Sequence, residues 1–258
     1  MVPLVRYELD GHVATITYDR PEALNAINAG VRRDLNDAFT RFREEEDAWV
    51  AIVTGSGRAF CVGADVRDRS GSTGEFRGTF WEKPTTNSFE SGWEIFKPVI
   101  AAVNGLCLGY GLTLVTWCDF VIASDRAEFG FPEVRLGVPT IVGAIRLPRR
   151  INWQYAMEIL LTGERFGAQR AHEIGLVGWV VEHDRLMDEA RGLAGRLLAA
   201  APLAARTIKE MAVRGRTLSD VEAIRFGETM RKVAGATEDA REGGLAFQER
   251  REPEWRGR

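Results

Sequence analysis

The sequence predicts an α/β fold with mostly parallel strand pairing, closed by a region that is helical throughout. Two observations carry that prediction. Short β-branched runs recur along the first half of the chain and lead through turns into helix-patterned stretches, and from about residue 184 the strand pattern gives way to helices. Residues 12 to 18 (HVATITY) and 50 to 54 (VAIVT) are the first two runs; DRPEALNAINAGVRRDLNDAFTRFREEED between them reads as a turn followed by a helix. The unit recurs with a strand in VIAAVNG (99 to 105), a short apolar helix in GLTLVTWC (111 to 118) and the next strand in FVIASD (120 to 125). Parallel neighbours need such crossovers, and helices supply them.

Residues 66 to 95 mix glycines, charges and aromatics over too long a stretch for an idle connection, so they are expected to border a site. Further on, Pro202 suits the first position of a helix, Ser219 with Glu222 carries a capping-box pattern, and Gly195 and Gly215 mark breaks or tolerated defects. The expected organisation is a core over residues 1–195 and a helical C-terminal region over residues 196–258 that makes oligomer contacts.

Composition narrows the function. A chain of 258 residues that is 45% hydrophobic can bury a full core without disulfide or metal staples. Its 34 basic and 37 acidic residues leave a formal charge of -3, which argues against nucleic acid or an anionic membrane as partner, though it leaves room for a local cationic pocket. No apolar run approaches the ~18 residues of a membrane span, and the opening MVPLVRYELDGHVATITYDRP lacks the parts of a secretion signal, so a cytoplasmic location is expected. Cys61, Cys107 and Cys118 are odd in number and without zinc spacing, which reads as reduced packing residues.

Three segments have the grammar of a site. GSGRAFCVGADV (55 to 66) follows a strand and turns at Gly63, Ala64 and Asp65, where unpaired backbone N–H groups can meet an anionic oxygen; a plain glycine turn with an Asp cap would look the same. NGLCLGYGLTL (104 to 114) repeats the pattern of strand, glycine-dense turn and short helix. Its spacing is not the dinucleotide fingerprint G-x-G-x-x-G, and neither segment has the lysine of a phosphate loop or the G-x-S-x-G nucleophile elbow. Two such turns can together aim a pair of N–H donors at one carbonyl oxygen. In AEFGFPEVRLGVP (127 to 139), Glu133 is either surface decoration or a desolvated base. His12, His172 and His183 fall outside these turns and have no metal-pair spacing, which suits surface or capping roles.

The segments AFCVGAD, KPVIAAVNGLCLGYG, CDFVIAS, FGFPEVRLGVP, LTGERFGAQRAHEIGLV and AREGGLAFQERREPEW occur in the order and approximate spacing of the crotonase (enoyl-CoA hydratase/isomerase) superfamily, which the chain resembles over nearly its whole length. The resemblance implies a spiral of ββα units with a C-terminal helical region that builds trimers, often paired into hexamers. It implies an acyl-CoA thioester substrate, with coenzyme A carried by the substrate and no separate cofactor or metal. By motif position the oxyanion-hole N–H groups fall on Val62 and Tyr110, and Glu133 is the acid/base. Ala23 and Leu24 lie near the adenine and the pantetheine curve, with Val62, Gly63, Ala64, Asp65, Tyr110 and Thr113 lining the rest. Arg250 matches a basic position that reaches the nucleotide phosphate of a neighbouring subunit; a solvated helix charge is its plain alternative.

The departures from the family pattern are informative. Hydratases commonly pair two glutamates, but the first position is Thr113 here. Adding water asks for one group to activate it and another to deliver a proton, whereas a double-bond shift can be run by one carboxylate. The reading therefore leans toward isomerisation. Hydration is the alternative, with water positioned by Thr113 or with a carboxylate such as Glu82, Glu90 or Glu94 entering the site. Ile141 stands where dienoyl-CoA isomerases carry an Asp, and PTIVGAIRLP replaces a glycine-rich stretch, which bears on acyl specificity. Trp81 and Trp93 are candidates to wall an acyl pocket, with packing as the default. Thioester hydrolysis, decarboxylation and CoA binding without catalysis are the remaining alternatives.

Overall fold

A computed structural model describes residues 3–65, 67 and 94–258. The chain runs β1 (Val5–Asp10), β2 (Val13–Tyr18), α1 (Ala29–Glu44), β3 (Val50–Gly55), β4 (Ala59–Cys61), β5 (Val99–Val103), β6 (Leu106–Leu108), α2 (Tyr110–Val115), β7 (Phe120–Ser124) and β8 (Glu128–Gly130). After a 3-10 helix at Pro132–Leu136 come α3 (Val142–Arg146), α4 (Trp153–Thr162), β9 (Phe166–Gly167), α5 (Ala168–Glu173), β10 (Trp179–Val181), α6 (Leu186–Leu198), α7 (Pro202–Arg214), α8 (Asp220–Gly235) and α9 (Glu238–Glu249).

Among the described residues the strands form two sheets. One has six strands in the order β1-β2-β3-β5-β7-β10, parallel except for the β1–β2 hairpin; the other has four in the order β4-β6-β8-β9, parallel except at β8–β9. Strands β3, β5 and β7 belong to the large sheet, and the strand after each of them, β4, β6 and β8, belongs to the small one. A helix then returns the chain to the next turn of this spiral, as after β6. The expected ββα architecture and its helical C-terminal end are present. β1 escaped the pattern reading because VRYELD buries only Val5; its alternate charges face outward from a sheet edge.

The large sheet is covered on both faces, which explains runs such as VAIVT in which every residue is apolar or buried. Ala51, Val53, Ala101 and Val103 face the main core, together with Val31, Leu35, Phe39 and Phe42 of α1. Val50, Ile52, Ile100 and Ala102 point the other way, onto Leu186, Ala190, Leu193 and Ala194 of α6. Asn28 caps α1 by accepting from the Val31 N–H at 2.9 Å. At the other end of α1, the buried Lys97 donates to the carbonyls of Phe42 (2.7 Å) and Glu45 (2.6 Å), and burial lowers its pKa to about 8.

α7 is tied to the core by polar contacts. Lys209 of α7 donates to Asp119 Oδ2 (2.7 Å) and to the Lys97 carbonyl (2.9 Å). Pro202 opens α7, and Ser219 and Glu222 close the anticipated capping box on α8. Among the described residues, no helix is long and apolar enough to cross a membrane.

Candidate active site

The glycine turns predicted at 62–65 and 109–111 meet. β4 and β6 are parallel neighbours with Cys61 opposite Cys107, so the segments leaving them emerge side by side. A methyl group placed on Gly63 would lie 3.4 Å from the Tyr110 nitrogen, and one on Gly111 would lie 2.3 Å from the Cys61 carbonyl oxygen. Gly109, which precedes α2, has φ +52°; a side chain there would be strained and would also strike Glu133 Oε1 at 2.7 Å. The glycine thus sets the start of α2 and lets the carboxyl of Glu133 approach the backbone.

Glu133 sits in the 3-10 helix that follows Phe131, with Pro132 as its first residue fixing the helix start. Its Oε2 is buried and has no hydrogen-bond partner among the described residues. Burial raises its pKa above the ordinary carboxylate value, partly opposed by a bond from its own backbone N–H. An unpartnered buried carboxyl oxygen costs free energy, and its position beside the glycine turn at Gly109 makes Glu133 a candidate acid/base.

The first turn is held by the segment following Ala23 and Leu24, which the family resemblance implies lie near the nucleotide arm. The Ile27 N–H donates to the Gly63 carbonyl (2.8 Å) and the Asp65 N–H to the Ile27 carbonyl (2.9 Å). Ala64 is the centre of this parallel bridge, so its own N–H is directed away from Ile27, and the preceding Gly63 packs against Gly109 and Tyr110. The expectation for Val62 is corrected. Its N–H donates to the Leu24 carbonyl at 3.3 Å and serves the turn, so the exposed Ala64 presents the outward amide. Sequence spacing could not show this, because the positive φ of Gly63 (+97°) resets the alternation of N–H directions along the chain.

Around these turns Ala23 and Leu24 are half-buried beside the 62–65 segment. Leu24 (φ 53°) and Asn25 (φ 58°) are consecutive left-handed residues, an arrangement costing on the order of 1 kcal/mol each. Asn25, fully buried, offsets it by accepting from the Arg20 N–H (2.9 Å) and donating to the carbonyls of Ser56 (3.0 Å) and Ala59 (2.8 Å). Arg20 itself donates to Asp65 Oδ2 (2.7 Å) and to the Ala26 carbonyl (3.2 Å). Neither Arg20 nor Asn25 was singled out from sequence; the pair of left-handed residues in LNA carries no motif of its own.

Tyr110 opens α2, and the first intrahelical bond there runs from the Thr113 N–H to the Gly109 carbonyl (2.9 Å). The Tyr110 hydroxyl accepts from Arg32 of α1, whose guanidinium also lies 4.9 Å from the ring centroid. Thr113 is buried inside α2 and brings no carboxylate. Glu94 pairs with Arg214 at 3.1 Å on the surface of α7. Glu82, Glu90, Trp81 and Trp93 lie outside the described residues, and so does most of the 66 to 95 segment.

Arg250 ends α9 in an exposed left-handed cap, and among the described residues no contact joins it to the two turns within this chain. Ile141 is exposed at the start of α3. His12 stacks on Trp49, His172 faces the Val177 carbonyl (3.0 Å) and His183 the Ser124 hydroxyl (3.0 Å), all structural contacts. The three cysteines are free and buried, with thiols pushed up by burial, to about 12 for Cys61 and Cys118. No group of His, Cys, Asp or Glu among the described residues has the arrangement of a metal site.

Comparison with known proteins agrees with this architecture. The family model described as Enoyl-CoA hydratase/isomerase matches residues 8–258. A probable enoyl-CoA hydratase of Rhizobium meliloti is 39% identical over 256 residues, covering 97% of each chain. An (E)-benzylidenesuccinyl-CoA hydratase of Thauera aromatica is 37% identical over 255 residues, covering 98% of this chain and 99% of that one. The crystal structure of an enoyl-CoA hydratase/isomerase from Mycobacterium paratuberculosis superposes with a TM-score of 0.87 at 40% identity, covering 99% of both chains. The chain belongs to the enoyl-CoA hydratase/isomerase family, the crotonase superfamily of enzymes.

Proposed function

We propose that this member of the enoyl-CoA hydratase/isomerase family moves the double bond of an enoyl-CoA thioester with Glu133 as its one acid/base. The thioester oxygen is held between the N–H of Ala64 and that of Tyr110 at the start of α2, where the helix dipole adds positive potential. The Glu133 carboxylate removes a proton from C2 of a 3-enoyl thioester. The C2–H electron pair becomes the C1=C2 bond of a dienolate as the carbonyl pair moves onto the thioester oxygen; when the carbonyl re-forms, the C1=C2 pair becomes the C2=C3 bond and the C3=C4 pair takes the proton that Glu133 returns to C4. Negative charge rests on the thioester oxygen in between, and each aligned donor there is worth roughly 2.7 to 4 kcal/mol of barrier. The nucleotide arm lies along Ala23, Leu24 and the 62–65 turn, and coenzyme A enters and leaves as part of the substrate.

The observation that supports this reading most is the buried, unpartnered Oε2 of Glu133 beside Gly109, with Thr113 rather than a second acid one turn into α2. Incubating the protein with 3-enoyl- and 2-enoyl-CoA esters in deuterated water and following products by mass tests it. Interconversion with deuterium incorporation and no mass gain of one water is expected. Stable 3-hydroxyacyl-CoA as the main product would replace isomerisation with hydration. That second reading is favoured by the relatives, since the Rhizobium and Thauera proteins are both named as hydratases; in it Thr113 helps place the water.

We also propose that the chain works as a trimer or a pair of trimers. Ile208 of α7 and Val221, Ile224 and Val233 of α8 are exposed apolar residues on well-formed helices, which suits burial against another copy. Arg250 of a neighbouring copy is then available to a nucleotide phosphate.

A further inference from the structure

We infer that Arg20 is a positioning residue for the oxyanion-binding turn, coupling the segment that meets the nucleotide arm to the direction of the Ala64 amide. The inference rests on the reading of Ala64 as an oxyanion donor. Three observations carry it. Arg20 crosses 45 residues of sequence to reach Asp65, the residue next to Ala64, at 2.7 Å, with side chains only 21% and 11% exposed. The same guanidinium nitrogen holds the Ala26 carbonyl, and the backbone N–H of Arg20 is received by Asn25. The 24–27 segment so held is the one whose backbone pairs with Val62, Gly63 and Asp65.

The consequence is mechanical. Ala64 has no side-chain brace of its own; its amide direction follows from the bridge to Ile27 on one side and from Gly63, a residue of low torsional resistance, on the other. Leu24 and Asn25 are left-handed and would relax toward ordinary backbone if released. Arg20 closes the loop by tying Ala26 on one strand of the bridge to Asp65 on the other. A displacement of the order of 1 Å at an oriented group can cost ~100-fold in rate, so a clamp at this point bears on turnover more than on binding.

The test uses the full-length protein with Arg20→Met, Arg20→Lys and Asp65→Asn variants, and an acyl-CoA labelled with carbon-13 at the thioester carbonyl. Hydrogen bonding to that oxygen lowers its stretching frequency, which difference infrared spectroscopy reads without reference to turnover. In the unaltered protein a shift to lower frequency is expected. Arg20→Met should lose most of that shift and lower kcat roughly 10- to 100-fold while KM changes about 3-fold or less, and Arg20→Lys should recover part of both. Asp65→Asn, which keeps the shape of the contact, should show the same losses in smaller degree and serves if Arg20→Met does not fold. A full shift and kcat in the variants, with only a lower Tm, would overturn the inference and leave the oxyanion reading standing. No shift in the unaltered protein would overturn both.

Discussion

α1 and α8 are both sixteen residues long, both begin with a side-chain cap and both carry an apolar stripe, yet they end in opposite situations. α1 buries Val31, Leu35, Ala38, Phe39 and Phe42 against the large sheet. α8 buries none of its residues in this chain, and Val221, Ile224 and Val233 are each about 60% exposed or more. The local code is the same and the environment differs. Caps and periodicity make a helix; they do not say whether its stripe is covered by the same chain or by another. The core carries its own packing and the candidate site, whereas among the described residues α7 and α8 keep exposed apolar faces, which the proposed assembly would cover.

The largest expected effect separates the two helices directly. Phe42→Ala leaves a cavity under the sheet and should cost ~3–5 kcal/mol in urea unfolding, at any protein concentration. Ile224→Ala in α8 should cost under ~1 kcal/mol in dilute protein, because the side chain it shortens is already in water. Equal costs in dilute solution would break the comparison.

Glu133→Gln comes next, lowering turnover by ~100-fold, or about 2.7 kcal/mol of barrier, with assembly unchanged, since the site is built from the core. Titration adds a stability signature. The folded-state pKa of Glu133 is raised by burial, so the protonated form contributes stability that is fully present below the ordinary carboxylate range and is lost as pH rises through the raised value. Glu133→Gln should therefore be more stable than the unaltered protein at neutral pH, with the gap narrowing as pH falls through the raised value and closed below about 4. The pH profile of kcat should rise as the carboxyl deprotonates, at a pH above that of a free glutamate. A variant with unaltered turnover would remove Glu133 from the chemistry.

The division between core and appendage also governs what the sequence revealed. Strands β2, β3, β5 and β7, the helix after LNA and the capping box on α8 were legible, because each is written in local pattern. So were the two glycine turns and, through resemblance, the place of Glu133 beside one of them. The donor assignment on the first turn was not, since which amide faces outward depends on the positive φ of Gly63 and on a bridge to Ile27, 37 positions away. Arg20 and Asn25 were missed for the same reason: their partners are distant in the chain, and an ion pair with Asp65 leaves no spacing to read.

Next in size, Ile224→Asp should cost the assembly roughly 2 kcal/mol per copy, the scale of one buried Ile, seen as a lower apparent mass in sedimentation at fixed concentration. The fold of each copy should survive, with unchanged far-UV circular dichroism. Loss of fold in place of loss of mass would mean that α8 is integral to the core after all.

The smallest effect tests the premise that the two helices share one local grammar. Asn28 accepts from the Val31 N–H at 2.9 Å, and Ser219 accepts from the Glu222 N–H at 3.4 Å while its own N–H is held by Glu222 at 3.1 Å. A cap satisfies backbone donors that have no intrahelical acceptor, and that debt is the same whether the stripe below is buried or wet. Asn28→Ala and Ser219→Ala should each cost ~1 kcal/mol. The first should appear as a lower global midpoint, because α1 unfolds with the core. The second should appear as faster amide exchange confined to the first turn of α8, where the helix can fray without exposing a core. If Ser219→Ala lowers the global midpoint as much as Asn28→Ala in dilute protein, then α8 unfolds together with the sheet, and the contrast between the two regions reduces to one of exposure alone.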